Sequence, residues 1–269
     1  MNSNNIPETI PNWLNGEECP AKSGETFDKL SPHTGLKLSG VARSGSQDVE
    51  SAIQAARSAQ KGWAALTPVQ RGEILHDIAQ SMRRHQKEIA EIVAIETGMS
   101  FNAALGETGG AIAEGEFMAG EGRRFYGRTT TSAVPNKYAM TVRQPLGVAG
   151  LIIAANTPIA NVAWKVFPAL VCGNAAVLKA AEDTPATAWY FARLAHESGL
   201  PPGVLNVIQG YGAEAGTPLV ASPDVDVISF TGSTAVGRRI ASIAGKRLAK
   251  VSLELGGKNP LVVCDDADL

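Results

Sequence analysis

The sequence is poor in cysteine and in net charge, and it has no long apolar run. Its 269 residues include three widely separated cysteines, and 24 basic residues nearly balance 26 acidic residues, giving a net charge of −2. So few cysteines favour reduced thiols in a cytoplasmic protein over a disulfide framework. The balanced charge argues against nucleic-acid binding. The longest central apolar run, residues 147–155, is too short to cross a membrane.

Several motifs that would identify an activity are also missing. The sequence has no P-loop, no GxSxG elbow and no zinc motif, and its four histidines show no metal-ligand spacing, so no metal is expected. The first residues lack the basic and apolar pattern of a secretory signal. With 44% hydrophobic and 19% charged residues, the composition favours a folded globular protein over extended disorder.

Residues 1–126 are predicted to be mainly helical. Over residues 46–66, apolar side chains recur three or four positions apart, which places them in one stripe on a helix. The segment Thr67-Pro68-Val69-Gln70 has the capping residues of a second helix start, and Gly98 is a stop signal. A further helix over residues 103–126 would contain six glycines, which reduce helix stability but permit close packing.

Residues 127–145 are predicted to form a protruding β-hairpin. The threonine-rich residues 128–131 and the alternating residues 138–142 flank a Pro135-Asn136 turn. The open edges of such a ribbon are available for pairing with a second subunit. The segment is therefore interpreted as an oligomerisation hairpin.

Residues 146–269 alternate short apolar segments with helical ones. A helix is predicted over residues 184–197, and strands are predicted over residues 148–154, 176–178, 204–208, 227–230, 250–253 and 261–263. This rhythm predicts an α/β fold, in which a parallel sheet is covered by helices on both faces. Ligands bind beyond the carboxyl ends of the strands in such sheets.

Two segments at predicted strand ends could bind a nucleotide. Residues 230–237 follow a strand and begin a helix, whose free amides attract phosphate; Gly232 would allow close approach and Ser233 would add a hydrogen bond. The alternative is a plain strand-to-helix turn. Lys179 and Glu182 end another strand and could bind ribose hydroxyls, or they could form a solvated charged loop.

Two further polar residues could take part in catalysis. Glu254 lies among leucines and glycines, where a poorly hydrated carboxylate can act as a general base, although it could also point to water. Asn156 follows a strand and could donate its amide to an oxyanion, or it could cap the next helix. Cys172 and Cys264 are interpreted as buried, inert thiols.

These segments occur in an order and spacing that resemble the NAD(P)-dependent aldehyde dehydrogenases over essentially the whole sequence. The segments that carry the resemblance are Trp13–Glu17, Arg143–Val148, Asn156–Lys165, Leu178–Glu182, Phe230–Ser233 and Leu253–Lys258. The resemblance implies a Rossmann-like sheet with an N-terminal helical part at 1–126, an oligomerisation hairpin at 127–145 and an NAD-binding core at 146–269. It also implies a homodimer or homotetramer for the complete enzyme.

The resemblance further implies oxidation of a small-molecule aldehyde to a carboxylic acid. A cysteine thiolate would attack the aldehyde, and the side-chain amide of Asn156 would hold the oxyanion. Hydride transfer to the nicotinamide would leave a thioester, for whose hydrolysis Glu254 would activate water. Lys165 would contact the ribose or assist proton movement near the nicotinamide.

The implied cofactor is NAD, with NADP possible. The residues that match cofactor-binding positions of the family are Ile153, Lys165, Lys179, Glu182, Gly212, Gly216, Gly232, Ser233, Val236 and Leu255. Lys179 and Glu182 would hold the adenosine ribose, and Ser233 would contact the pyrophosphate. The carboxylate of Glu182 favours NAD, because a 2′-phosphate would meet a like charge.

The sequence departs from the family pattern at three places. Ala154-Ala155 replace the usual Pro-Trp, and Ala180 replaces a proline. None of the three cysteines lies in the nucleophile motif of the family, so these 269 residues are expected to be the NAD-binding portion, inactive alone. The alternative is a non-catalytic dinucleotide-binding or interaction protein. A Gly-Gln-x-Cys motif in coding sequence after Leu269 would distinguish the two.

Overall fold

The computed structural model describes residues 6–268. The helices are α1 (Ser46–Ala65), α2 (Pro68–Arg84), α3 (Gln86–Thr97), α4 (Phe101–Glu121), α5 (Pro158–Val171), α6 (Pro185–Glu197), α7 (Thr217–Ala221) and α8 (Thr234–Lys246). The strands are β1 (Thr9–Ile10), β2 (Asn12–Leu14), β3 (Glu17–Cys19), β4 (Thr26–Leu30), β5 (Lys37–Ala42), β6 (Thr129–Thr131), β7 (Tyr138–Met140), β8 (Val148–Ile152), β9 (Ala175–Lys179), β10 (Leu205–Ile208), β11 (Val227–Gly232) and β12 (Lys250–Leu255).

The central sheet has the strand order β12-β11-β8-β9-β10-β2-β3. Strands β8 to β12 run parallel to one another, and β2 and β3 extend the sheet with antiparallel pairing. Every residue of β8, β9 and β10 is buried. The predicted α/β fold with a parallel sheet is therefore confirmed, and the antiparallel edge is an addition to it.

Helices cover both faces of this sheet, as predicted. Leu178 packs into a core with α2 to α6, whereas its neighbour Val177 packs on the opposite side with α1, α7 and α8. Alternate residues of a strand point to opposite faces, so one short strand contributes to both cores. The carboxyl ends of the parallel strands consequently lie between two layers of helices.

The helices predicted between residues 46 and 126 are present, and the last of them, α4, ends at Glu121 rather than at residue 126. Thr67 accepts a hydrogen bond from the Gln70 amide at 3.2 Å, and the Gln70 side chain accepts one from the Thr67 amide at 2.9 Å. Gly98 ends α3 in the left-handed conformation, at φ 79°. In α4, a Cβ on Gly115 would lie 2.7 Å from the Phe167 ring, so the glycine does permit close helix packing.

Strands β1 to β5 were not predicted in this N-terminal region. Residues 9–42 form a three-stranded sheet of β1, β5 and β4, together with the two strands that join the central sheet. These strands contain only two to six residues each. Their apolar pattern is too short for periodicity to be read, and their position depends on distant partners. The prediction of a mainly helical segment at 1–126 was incomplete for this reason.

The hairpin is a separate two-stranded sheet. Thr129 pairs with Met140 and Thr131 with Tyr138, and all residues of both strands are exposed. Asn136 adopts a left-handed conformation in the connection, at φ 62°. The predicted hairpin is confirmed, whereas its role in oligomerisation stays a prediction.

The strand predicted at residues 261–263 is wrong. Leu261 and Val262 are 89% and 80% exposed and lie outside any helix or strand. A strand requires a hydrogen-bonding partner and a covered face, and the residues after β12 have neither in residues 6–268. None of the helices within those residues is long and apolar enough to span a membrane.

Candidate functional site

A cleft of about 330 Å³ lies at the carboxyl ends of β8 and β9, beside α7 and α8. Its floor is apolar, with Ile152 and Phe230 from the sheet and Ile240 from α8, and its rim is polar. The predicted cofactor residues that line it are Ile153, Lys179, Glu182, Gly212, Gly216 and Val236. An apolar pocket with a few polar groups at its rim is typical of a small-molecule site.

Lys179 and Glu182 form an ion pair at this rim. The Lys179 ammonium donates to Glu182 Oε2 at 2.7 Å, and its side chain is only 3% exposed. Burial lowers the pKa of Lys179, while the charge of Glu182 opposes that shift. Burial acts to raise the pKa of Glu182, but the Lys179 charge and hydrogen bond prevail and the pKa is lowered. The alternative of a solvated charged loop is thus wrong for Lys179.

A single π-helical turn, Gly212–Gly216, forms another wall of the cleft. A Cβ on Gly212 would meet no heavy atom within 4 Å, and one on Gly216 would meet only Ile152 Cδ1 at 3.9 Å. Glycine at both positions therefore leaves open space that a ligand can occupy. The turn is held by Glu214, which accepts hydrogen bonds from Arg43 at 2.7 and 2.8 Å.

Ser233 caps helix α8, which begins directly after β11. Its hydroxyl oxygen accepts from the Val236 amide at 3.3 Å, so the hydroxyl proton is left for a second partner. A Cβ on Gly232 would lie 2.4 Å from the Phe230 ring, so packing also requires glycine there. On β12, Leu255 occupies the space beside Gly237 on α8, where a Cβ would clash with it. These residues position the helix start next to the cleft without lining it.

Lys165 lies on the opposite face of the sheet, near Glu254. Its ammonium donates to Ser229 Oγ on β11 at 2.8 Å, and Lys165 is 7% exposed. Burial lowers the pKa of Lys165 to about 8, and the carboxylate of Glu254 opposes that shift. Glu254 pairs in register with Thr231 and is exposed, so the expectation of a poorly hydrated carboxylate is wrong and water can reach this group. The exposure arises because β12 is the edge strand of the sheet among residues 6–268. The structure thus brings two of the three predicted catalytic residues together.

Asn156 lies in the loop between β8 and α5 and is exposed. Its Oδ1 accepts from Asn161 Nδ2 at 3.5 Å, which leaves Asn156 Nδ2 free to donate. The alternative that Asn156 caps α5 is wrong. The carboxylate of Glu107 on α4 accepts from the amides of Ile159 and Ala160, at 2.9 and 3.2 Å, and performs this task.

Glu96 on α3 performs the same task for α6. Its carboxylate accepts from the amides of Ala186 and Thr187, at 2.7 and 2.9 Å, and from the Thr187 hydroxyl at 2.6 Å. Burial raises the pKa of Glu96 to about 7, although these donors and Lys29 act in the opposite direction. Sequence reasoning missed both glutamates, because each is far in sequence from the helix that it caps.

Cys264 was predicted to be buried and is exposed, so that prediction was wrong. The residues around it belong to the uncovered segment after β12, which explains the exposure. Cys172 is partly buried, and burial raises the pKa of its thiol. Burial likewise raises the pKa of Cys19. In the part of the chain that the structure describes, no three His, Cys, Asp or Glu side chains form a metal site.

Comparison with known proteins assigns these features to one family. A model of the aldehyde dehydrogenase family matches residues 19–269. The chain is 42% identical over 259 residues to hydroxyisobutyraldehyde dehydrogenase of Mycolicibacterium austroafricanum, covering 96% of this chain and 51% of that protein. It is 40% identical over 256 residues to the NADP(+) succinate-semialdehyde dehydrogenase of Escherichia coli, covering 95% and 53%. The chain therefore spans about half the length of the curated relatives it matches.

Solved structures show the same likeness. An NADP-dependent enzyme of E. coli superposes with a TM-score of 0.94 at 38% identity, over 99% of this chain and 55% of that chain. The NAD+ complex of aldehyde dehydrogenase from Bacillus cereus superposes with a TM-score of 0.93 at 35% identity, over 97% and 54%.

Proposed function

The chain belongs to the aldehyde dehydrogenase family, and from this membership we propose that its cleft binds a nicotinamide dinucleotide, NAD or NADP. The observation that carries the proposal is the ion pair of the buried Lys179 with the partly exposed Glu182 at the rim of an apolar cleft. A carboxylate at the end of the second parallel strand accepts hydrogen bonds from ribose hydroxyls. The two solved relatives, one described as NADP dependent and one in complex with NAD+, support the same cofactor class.

The residues present fit the parts of a dinucleotide. The apolar floor of Ile152, Phe230 and Ile240 suits an adenine ring, and the open space beside Gly212 and Gly216 admits it. The first amides of α8 have no partner within the helix and suit a pyrophosphate, to which the Ser233 hydroxyl can donate. The nicotinamide would then extend towards the opposite face, where Lys165 and Glu254 lie.

We propose that the complete enzyme oxidises an aldehyde to a carboxylic acid. A bound nicotinamide supplies the hydride acceptor. The free amide of Asn156 would donate to the oxyanion that forms when a cysteine thiolate attacks the aldehyde. Glu254 would take a proton from the water that hydrolyses the thioester, and Lys165 would hold or pass a proton beside it.

We infer that none of the three thiols in this chain serves as the nucleophile. An attacking cysteine must be a thiolate, and burial raises the pKa of both Cys19 and Cys172. Cys264 is exposed in the irregular segment after β12 and lies outside the nucleophile motif of the family. We therefore expect the purified chain to bind dinucleotide without oxidising aldehydes, the behaviour of a non-catalytic dinucleotide-binding protein. Formation of reduced nicotinamide with a panel of aldehydes would contradict this expectation.

Calorimetric titration of the 269-residue chain with NAD and with NADP tests the binding site. At a ligand concentration about a hundred times Kd, binding should raise the free energy of unfolding by about 2.7 kcal/mol and shift Tm upward. Gly216→Val should weaken binding at least about tenfold, because the new side chain projects into the cleft.

The backbone of Gly216, at φ −71° and ψ −41°, accepts valine without strain, so the variant should retain the Tm of the unliganded chain. Gly106→Val on α4 is the matched control, since a Cβ there meets no heavy atom within 4 Å and Gly106 lies outside the cleft. Absence of heat with both dinucleotides, on folded protein, would refute the proposal.

A further inference from the structure

Arg239 on α8 is a cation at the cleft, and the proposed binding of a dinucleotide gives it no role. Its side chain lines the cleft together with Lys179 and Glu182. Arg239 is exposed and makes no hydrogen bond or ion pair with any residue among 6–268. Arginines elsewhere in the fold, such as Arg43 and Arg247, are engaged by carboxylates or backbone carbonyls. An arginine without a protein partner at a cleft is available for an anionic group of a ligand.

The position of Arg239 on its helix directs it to this cleft. Val236 and Ile243 line the same cleft and lie three and four positions from Arg239, which places the three residues on one face of α8. Ile240, the next residue after Arg239, lines the cleft as well. These apolar residues cover the space that suits an adenine ring. Arg239 borders that space, with the Lys179–Glu182 pair also at the rim. The 2′ position of an adenosine lies between the base and the remaining ribose hydroxyls, so it falls within the region bounded by these groups.

The charges at the rim permit a phosphate there. Glu182 alone would repel a 2′-phosphate, but its charge is compensated by the Lys179 ammonium at 2.7 Å. Arg239 then adds one uncompensated positive charge. A guanidinium binds phosphate oxygens through two parallel hydrogen bonds, which gives it both strength and directional preference. An arginine near the ribose is a common means of accommodating the 2′-phosphate of NADP.

From these observations we propose that Arg239 binds the 2′-phosphate of NADP, so that this cleft accepts NADP as well as NAD despite the carboxylate of Glu182. The inference rests on the proposed dinucleotide site and specifies which dinucleotides that site takes.

The test compares NAD and NADP binding by calorimetry in the full 269-residue chain and in Arg239→Gln. The unaltered chain should bind both dinucleotides with dissociation constants within about tenfold of each other. Arg239→Gln should weaken NADP binding by about tenfold or more and change NAD binding by less than about twofold. Arg239→Lys, which keeps the charge but loses the fork of donors, should fall between the two.

Arg238→Gln is the matched control, because Arg238 is the preceding residue on α8, is also exposed and does not line the cleft. Arg238→Gln should leave the affinities for NAD and NADP unchanged. If it weakens NADP binding as much as Arg239→Gln does, then NADP binding depends only on the overall positive charge of α8, and the inference is overturned. An equal loss of NAD and NADP affinity in Arg239→Gln would also overturn it, as would NAD binding without NADP binding in the unaltered chain. Absence of binding of both dinucleotides would instead refute the proposed site itself and the inference with it.

Discussion

Lys165 is a lysine in a buried environment that disfavours its charged form. It is 7% exposed, and the Ser229 hydroxyl is its hydrogen-bond acceptor in the structure. Burial lowers its pKa from 10.5 to about 8, and the more distant carboxylate of Glu254 offsets only part of that effect. A lysine with such a pKa can exchange a proton near neutral pH, which suits the role proposed for it beside the general base.

Replacing Lys165 by methionine should stabilise the protein near neutral pH. Between about pH 8 and pH 10.5 the unfolded chain binds a proton that native Lys165 has lost, so the stability of the unaltered protein rises with pH across this window. Lys165→Met keeps the apolar stem and removes that rise, with a gain of up to about 3 kcal/mol at pH 7. Urea unfolding at a series of pH values measures both effects.

Lys61→Met provides the control for this experiment. Lys61 is exposed on α1 and has no hydrogen bond or ion pair among residues 6–268, so Lys61→Met should not produce the gain in stability expected for Lys165→Met. An unaltered slope in Lys165→Met over the same window would contradict the assigned effect of burial.

At the scale of single residues, the sequence predicted the ion pair at the rim of the cleft but not the residues that depend on tertiary packing. Lys179 and Glu182 are three positions apart at a strand end, so local spacing was enough to pair them. Ser229 and Arg239 were missed, because the orientation of a strand or helix residue depends on which face the rest of the fold covers.

At the scale of elements, helices α5 and α6 begin in the same unusual way. Each follows a threonine whose side chain makes no capping hydrogen bond, and each has proline at its first position. Their free amides are instead taken by glutamates of other helices, Glu107 for α5 and Glu96 for α6. The loops just before these helices carry Asn156 and Glu182. The N-terminal helices therefore fix the two loops that contribute to the candidate site.

Removing either distant cap should destabilise the fold measurably. Glu96→Ala leaves three donors near the start of α6 without their acceptor, and Glu107→Ala leaves two at α5. Each substitution should lower the free energy of unfolding by about 1–3 kcal/mol, measured by urea denaturation.

Glu73→Ala on α2 is the matched control for these two variants. Glu73 is exposed and contacts Arg123 only at 3.5 Å, so its loss should change stability by less than about 0.5 kcal/mol. Equal losses of unfolding free energy in all three variants would contradict the capping role of Glu96 and Glu107, because Glu73 caps no helix.

Element predictions succeeded for the long helices, the hairpin and the parallel strands of the central sheet, and failed for the short strands of residues 9–42. Helix α1, with 20 residues, has a complete apolar stripe, whereas the strands of residues 9–42 contain two to six residues each. The wrong strand at 261–263 has the same cause: three apolar residues indicate burial, but only a neighbouring strand and a covering layer can provide it.

At the scale of the whole molecule, one edge of the central sheet pairs with no further strand among residues 6–268. Strand β12 lies at that edge, and Val251 and Leu255 on it are 43% and 38% exposed. The following residues Leu261, Val262 and Val263 extend the exposed apolar surface. An apolar edge strand with adjoining apolar residues favours self-association.

The double variant Leu261→Ser/Val262→Ser should therefore aggregate less than the unaltered chain. Light scattering at increasing protein concentration and sedimentation velocity measure the difference, which we expect to grow with temperature as hydrophobic association strengthens. Leu36→Ser is the control, because Leu36 is 70% exposed but lies outside this surface. Equal aggregation of the double variant and the unaltered chain would refute this interpretation.

The sequence by itself determined the α/β class, the long helices, the hairpin and the positions of Lys179, Glu182 and Glu254 at strand ends, because these follow from local periodicity and spacing. Only the tertiary structure decided that β2 and β3 join the central sheet, that Glu96 and Glu107 cap distant helices, and that Arg239 borders the cleft. The physical reason is that pairing, burial and side-chain direction depend on residues distant in sequence, whose approach no local pattern specifies.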